Sequence, residues 1–278
     1  MKNSMETSDT ELNRFAAVGK EIAREAGAFL MKHFRTNFSV SYKGAIDLVT
    51  EVDVAAEDLI VSRLKREFPE HAVLAEENHS EGQPGEYRWI IDPLVGTTIY
   101  ALGFPFFSVS VALEIGGEVV WGAVYNPAFN EMFTARLGRG AQCNDAPIHV
   151  SLTRPLSESF LATGFPYDIR TSSVNNLDYF REFTLRALAI RRAGSAALDL
   201  SYVAAGRFDG FWELKLHPWD CGAGYLLVRE AGGIVTDFSG EPGSIYVPES
   251  LATNGLIHEQ MLAVFRDLAA LTTGRSRS

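Results

Sequence analysis

The stretch Trp89-Ile90-Ile91-Asp92-Pro93-Leu94-Val95-Gly96-Thr97-Thr98 decides how this chain is read. An apolar run ends in a carboxylate, a proline fixes the exit, and Gly96-Thr97-Thr98 opens a helix. A buried strand written this way delivers Asp92 to a sheet edge. Free backbone N–H groups at the helix start that follows are a ready cradle for phosphate, and the Thr97 hydroxyl can hold a water. An ordinary N-cap with a tight turn is spelled with the same letters, so the stretch gains weight only from its context.

That context repeats the pattern. Val73 to Ala75 is a second apolar run finishing in acids, Glu76-Glu77. The segment Asp47 to Asp53 leads into a helix with Val54, Leu59, Ile60 and Leu64 at helical spacing; Asp53 stands at its expected N-cap and Phe68-Pro69 ends it. Trp219-Asp220 precedes Cys221-Gly222-Ala223-Gly224, whose small side chains either leave room for a metal and a phosphate or let a helix pack closely. Four acidic clusters at strand ends or helix starts suit a metal site.

Outside these clusters, Phe15, Val18, Ile22, Ala26, Phe29 and Leu30 define an amphipathic helix from about Glu11 to Phe34. The polar start Met1 to Thr10 and the tail after Leu271 read as frayed ends. Between Phe107 and Val150 the pattern is an antiparallel meander: Ser108 to Ile115, a Gly116-Gly117 turn, Glu118 to Tyr125, Glu131 to Arg136, and a strand after Asn144-Asp145. Further on, strands at Ser159 to Thr163, Phe208 to Glu213 and Gly233 to Asp237 alternate with helices. Those helices lie near Leu177 to Leu188, Ser195 to Ala205, Cys221 to Ala231 and His258 to Leu271, which makes the second half layered α/β. A soft boundary near Val150 divides an N-terminal α+β half, 1–150, from a C-terminal α/β half, 151–278, with the active site expected at the seam.

Composition narrows the function. With 278 residues, 46% of them hydrophobic and 22% charged, the chain can bury a full core. A net charge of -10 argues against a nucleic-acid surface, which requires clustered Lys and Arg. An acidic protein with an anionic substrate needs a cation between them. The apolar run Phe104 to Leu113 is broken by Ser108 and Ser110 and falls short of the ~20 residues of a membrane span. No signal peptide opens the chain, and Cys143 and Cys221 lack metal or disulfide spacing, so a cytoplasmic protein is expected. No GxxxxGK loop suggests an NTPase, and Gly194-Ser195-Ala196 lacks the second glycine of a nucleophile elbow. His217 is expected to be structural.

Taken in order, Asp47-Leu48-Val49-Thr50 with Asp53, Glu76-Glu77, Trp89 to Leu94 with Gly96-Thr97-Thr98, Gly194-Ser195-Ala196-Ala197 and Pro218-Trp219-Asp220 resemble the signature set of the inositol monophosphatase family. The resemblance runs from about Ala16 to Ala270. It implies a five-layered αβαβα sandwich, usually a homodimer, that hydrolyses phosphomonoesters with Mg2+ and is inhibited by lithium. By position, one Mg2+ would take Glu76, Asp92 and the Leu94 carbonyl. A second would take Asp92, the residue after Leu94, and Asp220, and a third, weaker ion would lie near Glu76 with Asp53 touching its waters. Glu76 and Thr97 would orient the attacking water, and the amides of Gly96 to Thr98 would hold the phosphate. Ala196, Glu213 and Asp220 would meet the hydroxyls of the organic part.

One departure stands in the deciding stretch. The family pattern has aspartate where this chain has Val95, and commonly asparagine and histidine where it has Ile99 and Leu102. Valine offers no lone pair, so the second ion is expected to bind poorly. Two rivals follow: a fructose-1,6-bisphosphatase or dual-specificity enzyme, to which Arg191-Arg192 could supply a phosphate clamp, and a catalytically silent binding protein that keeps the fold.

Overall fold

The computed structural model describes residues 7–42, 48–77, 80–81 and 85–275; Asp47 and the first six residues lie outside them. Helix α1 (Asp9–His33) begins two residues earlier than its apolar pattern suggests, because Ser8 and Glu11 close a capping box: the Glu11 N–H donates to the Ser8 hydroxyl at 3.2 Å, and the Ser8 N–H to the Glu11 carboxylate at 3.0 Å. Residues 8–10 are therefore the helix start and not a frayed end. A short hairpin, β1 (Val40–Tyr42) with β2 (Leu48–Thr50), leads into α2 (Glu51–Glu67).

Strands β3 (Ala72–Ala75), β4 (Ser80–Glu81) and β5 (Tyr87–Val95) come next, then the single-turn helix α3 (Thr97–Ala101). The meander follows: β6 (Ser108–Ile115), β7 (Glu118–Asn126), β8 (Glu131–Arg136), β9 (Ala141–Cys143) and β10 (Ala146–Ile148). Together they form one sheet in the order β10-β9-β8-β7-β6-β5-β3-β4, in which only the β3–β5 pair is parallel. A second sheet, ordered β12-β11-β13-β15-β14, is built from β11 (Phe160–Thr163), β12 (Ala189–Arg191), β13 (Gly210–Leu214), β14 (Ile234–Thr236) and β15 (Glu249–Thr253). Its helices are α4 (Leu177–Thr184), α5 (Ala196–Ala204), α6 (Pro218–Glu230) and α7 (His258–Arg275).

Strand alternation explains the layers. On the large sheet, Trp89, Ile91, Val111, Leu113 and Trp121 face α1 and α2, while Ile90, Ala112, Val124 and Phe133 face α5 and α6. On the small sheet, Phe211 joins the middle layer, whereas Trp212 packs with Phe183 of α4 and with Met261 and Phe265 of α7. The result is an αβαβα sandwich. Both faces of the central strands are buried, which is why they read as nearly continuous apolar runs. Each large side chain buried this way contributes about 1.5–3 kcal/mol.

Close packing, not an open ligand space, accounts for most of the small residues on α6. A Cβ added at Gly224 would stand 2.6 Å from the Leu200 side chain of α5, and one at Gly122 of β7 would stand 2.8 Å from the Ala223 Cα. That last obstacle is helix backbone, so α6 itself would have to move. Gly122→Ala is expected to destabilise the protein by about 1–3 kcal/mol in urea unfolding, outweighing the ~0.5–1 kcal/mol that Ala normally gains over Gly inside a strand. An unchanged or raised unfolding midpoint would show that the layers are not in contact there.

Candidate active site

Between the two sheets opens a cleft of about 440 Å³. Glu76, Asp92, Leu94, Val95, Gly96 and Thr97 line it from the first half of the chain, and Arg192, Ala196, Glu213 and Asp220 from the second. These are the expected metal and substrate residues, brought together from positions far apart in the chain. Asp53 and Thr98 are exceptions that do not line the cleft.

A β-bulge builds its floor. Asp92 pairs with Ser110 and Val95 with Ser108, so three steps along β5 oppose two along β6. Without the extra residue, side chains at 92 and 95 would face opposite ways; with it they share one face. Pro93, which cannot donate to a ladder, sits inside the irregularity. The strand thus continues past Asp92 to Val95 and does not end in the acid. The Leu94 N–H donates to Asp92 Oδ1 at 2.9 Å, which fixes the carboxylate. Gly96 follows in the left-handed region, φ 102°, with the Gly194 carbonyl only 3.0 Å from where a Cβ would be. Ile99 packs against these two glycines, and Leu102 lies out in solvent at 79% exposure, so neither reaches the cleft.

Asp53 is not the N-cap of α2. Thr50 takes that role, because its hydroxyl accepts from the first-turn amides, and Asp53 sits three residues on as the reciprocal member of a capping box. The other Asp53 oxygen accepts the Thr97 hydroxyl proton at 2.6 Å. Burial pushes the Asp53 carboxyl up in pKa, against the pull of these hydrogen bonds. Asp53 therefore stands behind Thr97 and aims its hydroxyl lone pairs.

Helix α6 supplies Asp220 by the same device. His217 is the N-cap, Pro218 opens the helix, and the His217 backbone N–H donates to Asp220 Oδ2 at 2.7 Å. The His217 ring lies on Trp219, with centroids 4.8 Å apart, in keeping with a structural role at the cleft rim. Of the two adjacent arginines, Arg192 lines the cleft, while Arg191 turns away over the Phe160 ring.

The charges explain what the cleft wants. Asp92, 2% exposed, is raised well above the usual carboxylate range by burial first, then by Glu76 and Asp220. Oxygen-only donors crowded by like charge fit a divalent cation of the magnesium kind, which takes one or two carboxylates and keeps its waters. Among the described residues no three His, Cys, Asp or Glu side chains form a ready-made cage.

Two deeper acids complete the picture. Glu213 is pushed up to about 8 by burial and by Asp220, against the Arg192 guanidinium. Asp199 escaped the sequence reading, although a lone acid inside the apolar run Ala196-Ala197-Leu198-Asp199-Leu200 was the available signal. It is 1% exposed, its Oδ1 has no hydrogen-bond partner, and burial with Glu213 nearby raises it well above the ordinary range. Raised acids bind protons more tightly when folded. Their stabilising contribution is complete below the unfolded pKa, about 4, and is lost as pH rises through the folded value, about 8 for Glu213. The melting temperature of metal-free protein should thus fall from about pH 5 to about pH 9, and Asp199→Asn should shrink that fall. A pH-independent melting temperature in calorimetry would contradict the assignment.

Comparison with known proteins agrees with this geometry. Residues 11–270 match the inositol monophosphatase family. The chain is 42% identical over 256 residues to the inositol-1-monophosphatase of Synechocystis sp., covering 91% of this chain and 89% of that one. It is 43% identical over 248 residues to the Nus factor SuhB of Escherichia coli K12, covering 88% and 93%. The inositol monophosphatase of Anabaena superposes with a TM-score of 0.85 at 41% identity, over 92% of this chain and 97% of that one. With its sequence, its αβαβα layers and its acid-lined cleft all in agreement, this chain belongs to the inositol monophosphatase family.

Proposed function

We propose that the protein is a phosphomonoesterase acting on inositol monophosphate or a related sugar phosphate with Mg2+, weakened by Val95. The observation that carries this reading is the convergence of Glu76, Asp92 and Asp220, from three separate elements, on one cleft whose central acid is buried. Glu76, Asp92, the Leu94 carbonyl and Asp220 would hold the metal, which when bound supplies charge neutralisation and a more acidic water. Thr97, held by Asp53, accepts a hydrogen bond from the attacking water, and Glu76 takes its proton. The amides of Gly96 and Thr97 would face the phosphate, Thr98 standing behind them outside the cleft lining, and Ala196, Glu213 and Asp220 would face the hydroxyls of the organic part, with Arg192 also in the lining. The resemblance also supports a cytoplasmic, lithium-sensitive homodimer; among the described residues no helix is long and apolar enough to cross a membrane.

Two observations support alternatives. Arg192 in the cleft favours a bisphosphate substrate. Val95, only 4% exposed within the apolar cluster between the sheets, favours a silent binding protein, and the relatives named Nus factor SuhB are consistent with such a role. Phosphate release from inositol 1-phosphate and fructose 1,6-bisphosphate, across Mg2+ concentrations, separates the three. Turnover of neither at saturating metal, with folding intact, rejects the enzyme.

Val95→Asp tests the cause of the weakness. Losing even an outer neighbour of a metal ligand costs about 10- to 100-fold in affinity or activity, so the variant should raise phosphate release at least ~10-fold at fixed Mg2+. It also adds a carboxylate beside Asp92, so its metal-free melting temperature should drop. A variant with no gain under excess Mg2+ would locate the defect elsewhere.

A further inference from the structure

Glu213 sits on β13 beside Gly164, the residue that follows β11, because the two strands pair in parallel with Thr163 opposite Trp212. The contact is unusually close. A Cβ added at Gly164 would stand 2.0 Å from Glu213 Oε1 and 2.3 Å from both Cδ and Oε2. The backbone at Gly164 is not in the left-handed region, so alanine fits the main chain and only the carboxylate stands in its way.

Nor can the Gly164 backbone retreat, because a closed ring of buried hydrogen bonds holds it. Asn176, 0% exposed, donates its amide to the Gly164 carbonyl at 2.6 Å and to the Thr163 hydroxyl at 2.7 Å. The Thr163 hydroxyl donates to the Trp212 carbonyl at 2.6 Å, and the Trp212 indole N–H donates to Asn176 Oδ1 at 2.6 Å. This ring ties the strand carrying Gly164 to the strand carrying Glu213, one residue from each. A buried network with every member paired is rigid, and breaking it leaves orphaned groups.

We propose that Gly164, clamped by Asn176, is a positioning residue for substrate selection: the bare Cα is the wall against which the Glu213 carboxylate rests, and this sets its reach toward the hydroxyls of a polyol phosphate. The inference rests on the reading of Glu213 as the group that meets the organic part. The clamp ties strands of the small sheet, whereas Asp92 and the strand before Glu76 belong to the large one, so disturbing it is expected to leave the phosphate end unchanged.

The test compares binding of myo-inositol 1-phosphate and of inorganic phosphate, in Mg2+, by calorimetry on the full chain. Losing a hydrogen bond so that a buried polar group is left unsatisfied is a roughly 10- to 100-fold effect. Gly164→Ala should weaken inositol phosphate by about that factor and leave inorganic phosphate within about twofold. Glu213→Asp, shorter by one methylene, should restore most of the loss in the Gly164→Ala background. Equal weakening of both ligands, or no rescue, overturns the proposal. Glu213→Ala fixes which idea failed: if it leaves inositol phosphate binding intact, the role of Glu213 is wrong; if it weakens binding while Gly164→Ala does not, only the positioning role is wrong. Should Gly164→Ala fail to fold, folding regained by adding Glu213→Asp supports the clash, and continued failure rejects it.

Discussion

Asp92 is buried within reach of the charges of Glu76 and Asp220, and the layers have to hold those three acids on one cleft. Glu76 follows β3, Asp92 rides on β5 and Asp220 opens α6, so the cluster is spread over two layers. Like charges about 4 Å apart cost ~1 to 4 kcal/mol over plausible dielectrics, and any closer approach here adds to the cost of burying Asp92. Here the cost falls on buried strands and on a helix locked by Gly122 and Leu200. Burial raises it further, as the displaced Asp92 pKa records. A bound cation would turn the same arrangement from a liability into a tie between the layers.

Val95 reads differently against that background. The bulge in β5 turns position 95 onto the same face of the sheet as Asp92. Valine keeps the backbone detour and fills the space with apolar contact among residues of the middle layer. Burying it contributes about 1.5–3 kcal/mol and removes one repelling charge. On the proposed function, valine at this position would trade metal affinity for stability, as commonly happens when a strained site is relaxed.

The layers were legible in the chain because their signal is local. Alternation and helical spacing located β5 to β8, α1, α2 and α7 within a few residues. What escaped was short or chemically plain: β9 and β12 have three residues each, and β15 is Glu-Ser-Leu-Ala-Thr, whose strand state comes from pairing with β13 and β14 on either side. The N-cap of α2 was misread because Thr50 and Asp53 are both good caps and only the backbone distinguishes them. Within the site, acids at strand ends were visible, since an acid beside an apolar run is out of place. Gly164 and Asn176 were not, because nothing in Thr-Gly-Phe-Pro or Asn-Asn-Leu-Asp announces a contact made across strands.

The cleft carries both signs of charge, and that constrains the ligand. Its lining includes the acids Glu76, Asp92 and Asp220 and the cations Arg192 and Lys215, the latter tied to Asp168 at 2.5 Å. In a chain of net charge -10, a phosphate cannot approach those acids unless a cation goes with it. A neutral organic part, by contrast, can lie against Glu213, which at about 8 is largely protonated near neutral pH and so can donate to a hydroxyl as well as accept from one. On the proposed function, the phosphate and its cation would meet Glu76, Asp92 and Asp220 and the hydroxyls would meet Glu213, which leaves Arg192 as the cleft cation that a second phosphate would answer.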